Sequence, residues 1–268
     1  MSWNEAMENL NKFPRLRLGF YPTPVEELTR LRTLLGAKCP RLFIKRDDYT
    51  GFSFGGNKIR KLEFLLAQAV ADDIDAVITT GGERSNHARM TAAVCAKLGI
   101  RCVLVLDRKP RPAGTEKLEP APIFIEKLLG AEVHIVDSIA VRKKLASSLI
   151  SEMKQQGLKV LEIPLGGAVS IAALGFVTAM RELAKQQQES AIEFDHVFFS
   201  SSTGGTHTGM LVGSKLFGLE KTKFIGISPE ENAETEISLE VKRLTGEVRE
   251  LLQISKDDLF ERTEVYDR

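Results

Sequence analysis

Lys58 stands in an unusual setting. The stretch SFGGNKIRKLEFL (53–65) puts Gly55, Gly56 and Asn57 directly before it and an apolar-periodic run directly after it. Glycines ahead of a helix permit positive φ or a close backbone approach, and asparagine is a good N-cap. Ile59, Leu62, Leu65, Leu66 and Ala69 recur on one face, so NKIRKLEFLLAQAVADD (57–73) predicts a helix. A lysine in the first turn faces the positive end of the helix dipole, which prefers anions. Lys58 therefore either turns to solvent or holds a depressed pKa. In the second case its neutral amine attacks a carbonyl or removes a proton.

Three strand-to-helix junctions supply candidate partners: TTGGERSNHARMT (79–91), PLGGAVSIAALG (164–175) and SSSTGGTHTG (200–209). All are expected at the carboxyl ends of parallel strands, where open α/β sheets bind ligands. Glycines and hydroxyls at a helix N-terminus make an anion nest. The third loop is the richest, with Ser201, Ser202, Thr203, Gly204, Gly205, Thr206 and Thr208. It lacks the Lys-Ser/Thr ending of a P-loop and the G-x-G-x-x-G dinucleotide fingerprint. Taken alone it reads equally as a tight turn. Together, a lysine at a helix start, a Gly-Gly-x-x-Ser-Asn turn and a separate phosphate nest are what a pyridoxal phosphate enzyme needs. The lysine forms a Schiff base with the aldehyde and the nest holds the phosphate.

The elements that must position these residues alternate along the chain. Strands are expected at 41–48, 76–82, 101–107, 131–137, 159–167 and 222–228. Helices are expected at 57–73, 86–99, 122–130, 139–157, 169–188 and 233–252, and 195–218 reads as strand, Gly-rich loop and helix. Such alternation means α/β with mostly parallel sheets and right-handed crossovers. Strands this apolar suit sheets covered on both faces. A Pro-rich loop is expected over 107–122.

The composition narrows the class. Lys plus Arg number 37 against 36 acidic residues, which supports neither nucleic acid nor membrane binding. Cys39, Cys95 and Cys102 show no metal spacing, so no metal site is expected and a reducing, cytoplasmic setting fits. The N-terminus has no apolar signal region, and no stretch has the length of a transmembrane helix.

GGNKIRKLEFL resembles the Schiff-base lysine motif of the 1-aminocyclopropane-1-carboxylate deaminase and D-cysteine desulfhydrase family, which has the tryptophan synthase β-like fold, pyridoxal phosphate fold type II. GGERSNHARMTAAVCAKLGI is similar to that family's Ser-Asn-His/Gln-x-Arg-x-x-Ala-Ala segment, STGGTHTGM to its phosphate loop, and FPRLRLGFYPTPVEELTRL to its N-terminal lead-in. The likeness runs almost end to end. It implies that Lys58 carries the cofactor and shuttles the Cα proton. It implies that Asn86 bonds the phenolic oxygen and that Ser85 contacts the substrate carboxylate or assists proton transfer. Thr203, Gly204, Gly205 and Thr206 would hold the phosphate, with Lys61 reaching it one turn after Lys58.

Other residues carry plainer readings. His87 either lines the substrate pocket or caps its own helix. His207 reads as a solvent-facing residue at a helix start, His134 and His196 as structural, Arg84 as a solvated loop residue and Cys95 as core. Relative to the family, Ala168 stands where serine is usual, Phe176 where tyrosine is usual and Ser202 where glycine is common. Family members also continue past TEVYDR with residues that partner the pyridine nitrogen and line the substrate pocket.

The implied architecture is two three-layer domains. A small domain (55–162) is inserted into a large cofactor-binding domain made of 1–54 and 163–268, with the cofactor in the cleft, and the assembly is a homodimer. The implied activity is a lyase acting on a small amino acid. D-Cysteine is favoured, because Ser-Asn-His looks closer to the desulfhydrase form than Ser-Asn-Gln. The alternatives are 1-aminocyclopropane-1-carboxylate deamination and a shortened, catalytically silent protein that binds the cofactor.

Overall fold

The computed structural model describes residues 3–108, 120–229, 232–254 and 264–267. Most of the Pro-rich loop at 107–122 lies outside them. The first half of the chain holds α1 (Trp3–Lys12), β1 (Val25–Glu27), α2 (Thr29–Leu35), β2 (Phe43–Lys45), α3 (Ile59–Ala71), β3 (Ala76–Gly82), α4 (Asn86–Leu98), β4 (Arg101–Asp107) and α5 (Ala121–Leu128). Then come β5 (Glu132–Val136), α6 (Ile139–Gln155), β6 (Val160–Ile163), α7 (Ser170–Ser190), β7 (His196–Ser200), α8 (Gly205–Leu216), β8 (Lys223–Ser228), α9 (Ser238–Leu252) and β9 (Glu264–Asp267).

Two parallel sheets organise the chain. One has the order β5-β4-β3-β6 and the other β7-β8-β9, while β1 and β2 form a short antiparallel pair. Side chains alternate along a strand, so the four-stranded sheet buries two apolar faces. Val77, Leu104 and Leu106 pack with α3, α4 and Ile123 of α5. Ile78, Val103 and Val105 pack with Ala146 and Met153 of α6. The expectation of sheets covered on both faces fails at β7, where His196, Phe198 and Ser200 are exposed in alternation. Among the described residues β7 pairs with β8 alone, and its Val197 and Phe199 side chains turn toward the core.

The two sheets are joined through α3, α7 and α8, which approach until backbones touch. A Cβ on Gly175 would lie 2.0 Å from the Arg60 carbonyl oxygen, and one on Gly209 would lie 2.3 Å from that of Ala173. Along α3, Ile59, Leu62, Leu65 and Leu66 face the four-stranded sheet, whereas Phe64 packs with Leu174 and Val177 of α7. We propose the division into 55–162 and the remainder on this basis, with α3 as the hinge-side helix common to both cores.

On the far side of α3, Arg60 is buried and donates to Asp47 Oδ1 (2.8 Å), Glu182 Oε2 (2.9 Å) and Thr23 Oγ1 (3.1 Å). Lys45 pairs with the same Glu182. This polar cluster ties the N-terminal segment to α3 and α7. Among the described residues no helix is long and apolar enough to cross a membrane.

Candidate active site

The helix that Lys58 caps begins at Ile59, two residues later than its sequence suggests. Lys58 itself is the cap residue, in helical conformation (φ −70°, ψ −21°), and no side chain caps the helix. Asn57 does not serve as N-cap, because the Lys58 carbonyl already accepts from Lys61 and Leu62. Its Oδ1 instead lies 3.5 Å from Asn86 Nδ2. The turn before it is left-handed throughout: Ser53, Phe54, Gly55 and Gly56 have φ of 47°, 63°, 75° and 130°. A Cβ on Gly55 would meet the Asp48 carbonyl oxygen at 1.6 Å, so only glycine fits there.

Burial pulls the pKa of Lys58 below that of an ordinary lysine. Lys61 is fully buried, and its pKa is lowered strongly by burial first and by the Lys58 charge second. The two amines thus share one desolvated region. Lys61 Nζ donates to the Gly166 carbonyl at 3.2 Å, and no carboxylate is bridged to Lys58 or Lys61 among the described residues. A Cβ on Gly205 would stand 3.0 Å from Lys61 Nζ, and one on Gly166 would stand 2.9 Å from Thr203 Oγ1. The 164–168 loop, the 203–206 loop and Lys61 therefore converge.

The N-terminus of α8 opens at the same place, with Gly204 (φ 71°) at the cap and no side chain capping it. The first N–H groups of a helix lack intrahelical partners and carry the positive end of its dipole. A buried amine without a counter-anion, facing an uncapped helix start across a glycine, fits a phosphate group.

The Gly-Gly-x-x-Ser-Asn turn completes the arrangement. Ser85 Oγ caps α4 by accepting from Ala88 N at 3.1 Å, which leaves its O–H free to donate. Asn86 faces the Gly56 turn, where a Cβ would be 2.8 Å from Asn86 Nδ2.

His87 does not cap α4, since Ser85 does. Its ring is buried, with Nε2 3.2 Å from Thr79 Oγ1. Thr79 spends its own proton on the Ile163 carbonyl (2.7 Å), so His87 Nε2 carries the hydrogen and Nδ1 is a bare acceptor without a partner among the described residues. Burial, then the Lys58 and Lys61 charges, hold its pKa down to about 3.

His207 corrects the expectation of a solvent-facing residue. It is fully buried, 3.4 Å from Ser201 Oγ and edge-on to Phe199, in space left by Gly226, where a Cβ would be 2.9 Å from His207 Nδ1. Cys95 is core, as expected, and Arg84 is exposed.

Sequence reasoning missed two residues. Arg89 reaches Asn86, Ser53 and the Gly55 carbonyl. Its signal was its place three residues after Asn86, on the same face of a helix. Glu126 is buried on α5 with neither carboxylate oxygen partnered among the described residues, and burial pushes its pKa up to about 8 against the pull of Arg89.

A desolvated lysine beside an anion cradle in a parallel α/β fold is the equipment of a pyridoxal phosphate enzyme. A sequence profile of pyridoxal-phosphate dependent enzymes matches residues 16–255, and the chain belongs to that family. Pyridoxal phosphate is accordingly its cofactor, and the residues above fit it. Within the family, the chain is 39% identical over 223 residues to a D-cysteine desulfhydrase of Klebsiella pneumoniae (strain 342), covering 83% of this chain and 66% of that protein. It is 37% identical over 221 residues to a D-cysteine desulfhydrase of Serratia proteamaculans (strain 568), covering 82% and 66%. The chain thus spans 66% of the length of these relatives. The crystal structure of an ACC deaminase homologue superposes with TM-score 0.85 at 34% identity, over 98% of this chain and 76% of that one. The tryptophan synthase β-like, fold type II architecture is the one found.

Proposed function

We propose that this chain acts as a pyridoxal phosphate-dependent lyase on a small amino acid, with D-cysteine as substrate and pyruvate, sulfide and ammonia as products. The observation that carries this is the desolvated Lys58 amine, next to a second buried amine that faces the uncapped start of α8. Bound cofactor supplies an aldehyde and an electron sink for charge developing at the substrate Cα. The remaining chemistry belongs to the chain. Lys58 Nζ, whose pKa burial lowers, takes the Cα proton. The thiolate then leaves Cβ with the bonding pair and is protonated to sulfide. One water replaces the amino nitrogen, so that D-cysteine and water balance pyruvate, hydrogen sulfide and ammonia.

Lys61, Thr203, Gly204, Gly205 and Thr206 hold the phosphate. Asn86 donates to the ring oxygen, and Ser85 donates to the substrate carboxylate. The neutral ring of His87 forms the floor under Gly167. The second reading, 1-aminocyclopropane-1-carboxylate deamination, is supported by the likeness to the ACC deaminase homologue. A cytoplasmic homodimer completes the proposal, supported by the three free thiols, which suit a reducing compartment.

The test combines chemistry and turnover. Borohydride should fix the cofactor on Lys58, and Lys58→Ala should abolish that adduct. Pyruvate and sulfide should be released from D-cysteine at least about tenfold faster than from L-cysteine, a difference of about 1.4 kcal/mol in barrier. An adduct on Lys45 or Lys61 would overturn the assignment of the lysine. 2-Oxobutanoate from the cyclopropane substrate, with no sulfide from D-cysteine, would replace the first reading by the second.

A further inference from the structure

Arg89 is half-buried on α4 and makes three contacts, each to a part of the site that would otherwise be loose. Nη1 donates to Ser53 Oγ at 3.2 Å, and Nη2 donates to the Gly55 carbonyl at 3.1 Å. Nη2 also donates to Asn86 Oδ1. The first two partners lie in the left-handed turn before Lys58. Two of its residues, Ser53 and Phe54, are not glycine and hold positive φ at a conformational cost. Such a turn persists where surrounding contacts over-determine it, and a planar guanidinium with several fixed donors suits that task. The third partner is the side-chain amide placed opposite Gly56.

An amide side chain has an acceptor end and a donor end of nearly equal shape. Arg89 occupies the acceptor end. Among the described residues Asn86 Nδ2 has only a long 3.5 Å contact to Asn57 Oδ1, so the donor end keeps a hydrogen to offer beside the Gly56 turn. We infer that Arg89 is a positioning residue. It locks the Asn86 amide with its donor outward and ties it to the Lys58 turn, so that the two loops offer a hydrogen-bond donor and an amine in fixed relation. The ligand group recognised in this way is an anionic or phenolic oxygen on a ring whose neighbouring carbonyl reacts with Lys58. This rests on the assignment of Lys58 and Asn86 to the cofactor proposed above.

The test is a double-mutant cycle read on the visible band of the lysine–cofactor adduct. Arg89→Met should weaken pyridoxal phosphate binding about tenfold, the worth of one well-placed hydrogen bond. It should also move the pH midpoint of the visible band by about one pH unit, because a freed amide no longer favours the ionised ring oxygen. Asn86→Ala should give a similar displacement, and the double variant should add nothing to it. Arg89→Lys, which keeps the charge but not the fork, should fall between wild type and Arg89→Met.

A purely structural arginine would lower the melting temperature of the cofactor-free protein and leave the band midpoint where it was. That result would overturn the inference, as would full additivity of the two substitutions. If Arg89→Met does not fold, Arg89→Lys and Asn86→Ala carry the cycle. Failure of the wild-type chain to form a Lys58 adduct would overturn the functional reading instead, so the two failures are distinct.

Discussion

Lys61 is a buried amine whose only hydrogen-bond partner among the described residues is a carbonyl. In the cofactor-free protein that is a burden. An amine buried with a single carbonyl partner costs about 1–3 kcal/mol of desolvation, which an apolar group of similar length does not incur. Lys61→Met should therefore raise the melting temperature of the cofactor-free form while weakening pyridoxal phosphate binding at least tenfold, a loss of about 1.4 kcal/mol. Calorimetry and equilibrium dialysis on the same variant would check both signs. Stability and affinity falling together would show the amine to be structural. Glu126 gives a pH signature of its own. Its folded carboxyl holds a proton up to about 8, whereas an ordinary glutamate releases it near 4.5. Between these values the unfolded chain gains by ionising and the folded chain does not, so stability drops as pH rises from about 4.5 to about 8. Glu126→Gln should leave stability unchanged near pH 4.5 and add about 1–3 kcal/mol above pH 8, measurable by urea unfolding at the two pH values. His87 works in the opposite direction. Its folded pKa of about 3 lies below the ordinary 6.5, so stability is lost as pH falls from 6.5 toward 3.

At the scale of elements, the contact of α3 with α7 is the most demanding. Gly175→Ala would place a carbon 2.0 Å from the Arg60 carbonyl oxygen, and backbone cannot yield as a flexible side chain does. A loss of about 3 kcal/mol is expected, with cofactor affinity falling as well, because α3 carries Lys58 and Lys61 at its start. Thermal unfolding with and without cofactor measures both. Much of this framework was legible in sequence. β3 and β4 are apolar runs that end in glycine or aspartate, and α4 ends at Gly99, which holds φ 70°. The partners of β9 were not legible. Glu264, Val265, Tyr266 and Asp267 carry little strand signal, and their pairing with β8 is supplied by register in the folded sheet. The buried charges were hidden for the same kind of reason. Arg60, Lys61 and His207 are residue types that default to the surface, and only the facing Asp47 and Glu182, the carbonyl of Gly166 and the space at Gly226 explain their burial. The candidate site was legible as three loops, since glycine and hydroxyl clusters mark it. Of the contacts of Arg89, only the one to Asn86 had a sequence signal, because Ser53 and the Gly55 carbonyl reach it only in the fold.

The whole molecule should respond to its cofactor as one unit, since α3, α4, the 164–168 loop and α8 all border the site. At a cofactor concentration about one hundred times the dissociation constant, binding adds about 2.7 kcal/mol, which for a chain of this size raises the melting temperature by about 5–10 °C. Gly205→Val should abolish that rise while the cofactor-free protein keeps its own transition, because the added side chain enters the space next to Lys61 Nζ. A rise that survives the substitution would move the phosphate elsewhere. The same geometry imposes an order in time on the chain during synthesis. The residues that face Lys61 across the cradle, Thr203 to Thr206, are made roughly 150 residues after Lys58. At a ribosomal pace of about 5–20 residues per second, that interval is about 7–30 s. Under the assignment proposed for Lys58, the nascent chain carries its cofactor amine through that interval without the helix start that faces Lys61. Under that assignment the phosphate cradle is complete only after α8 has been made, so cofactor binding follows the synthesis of Thr203 to Thr206.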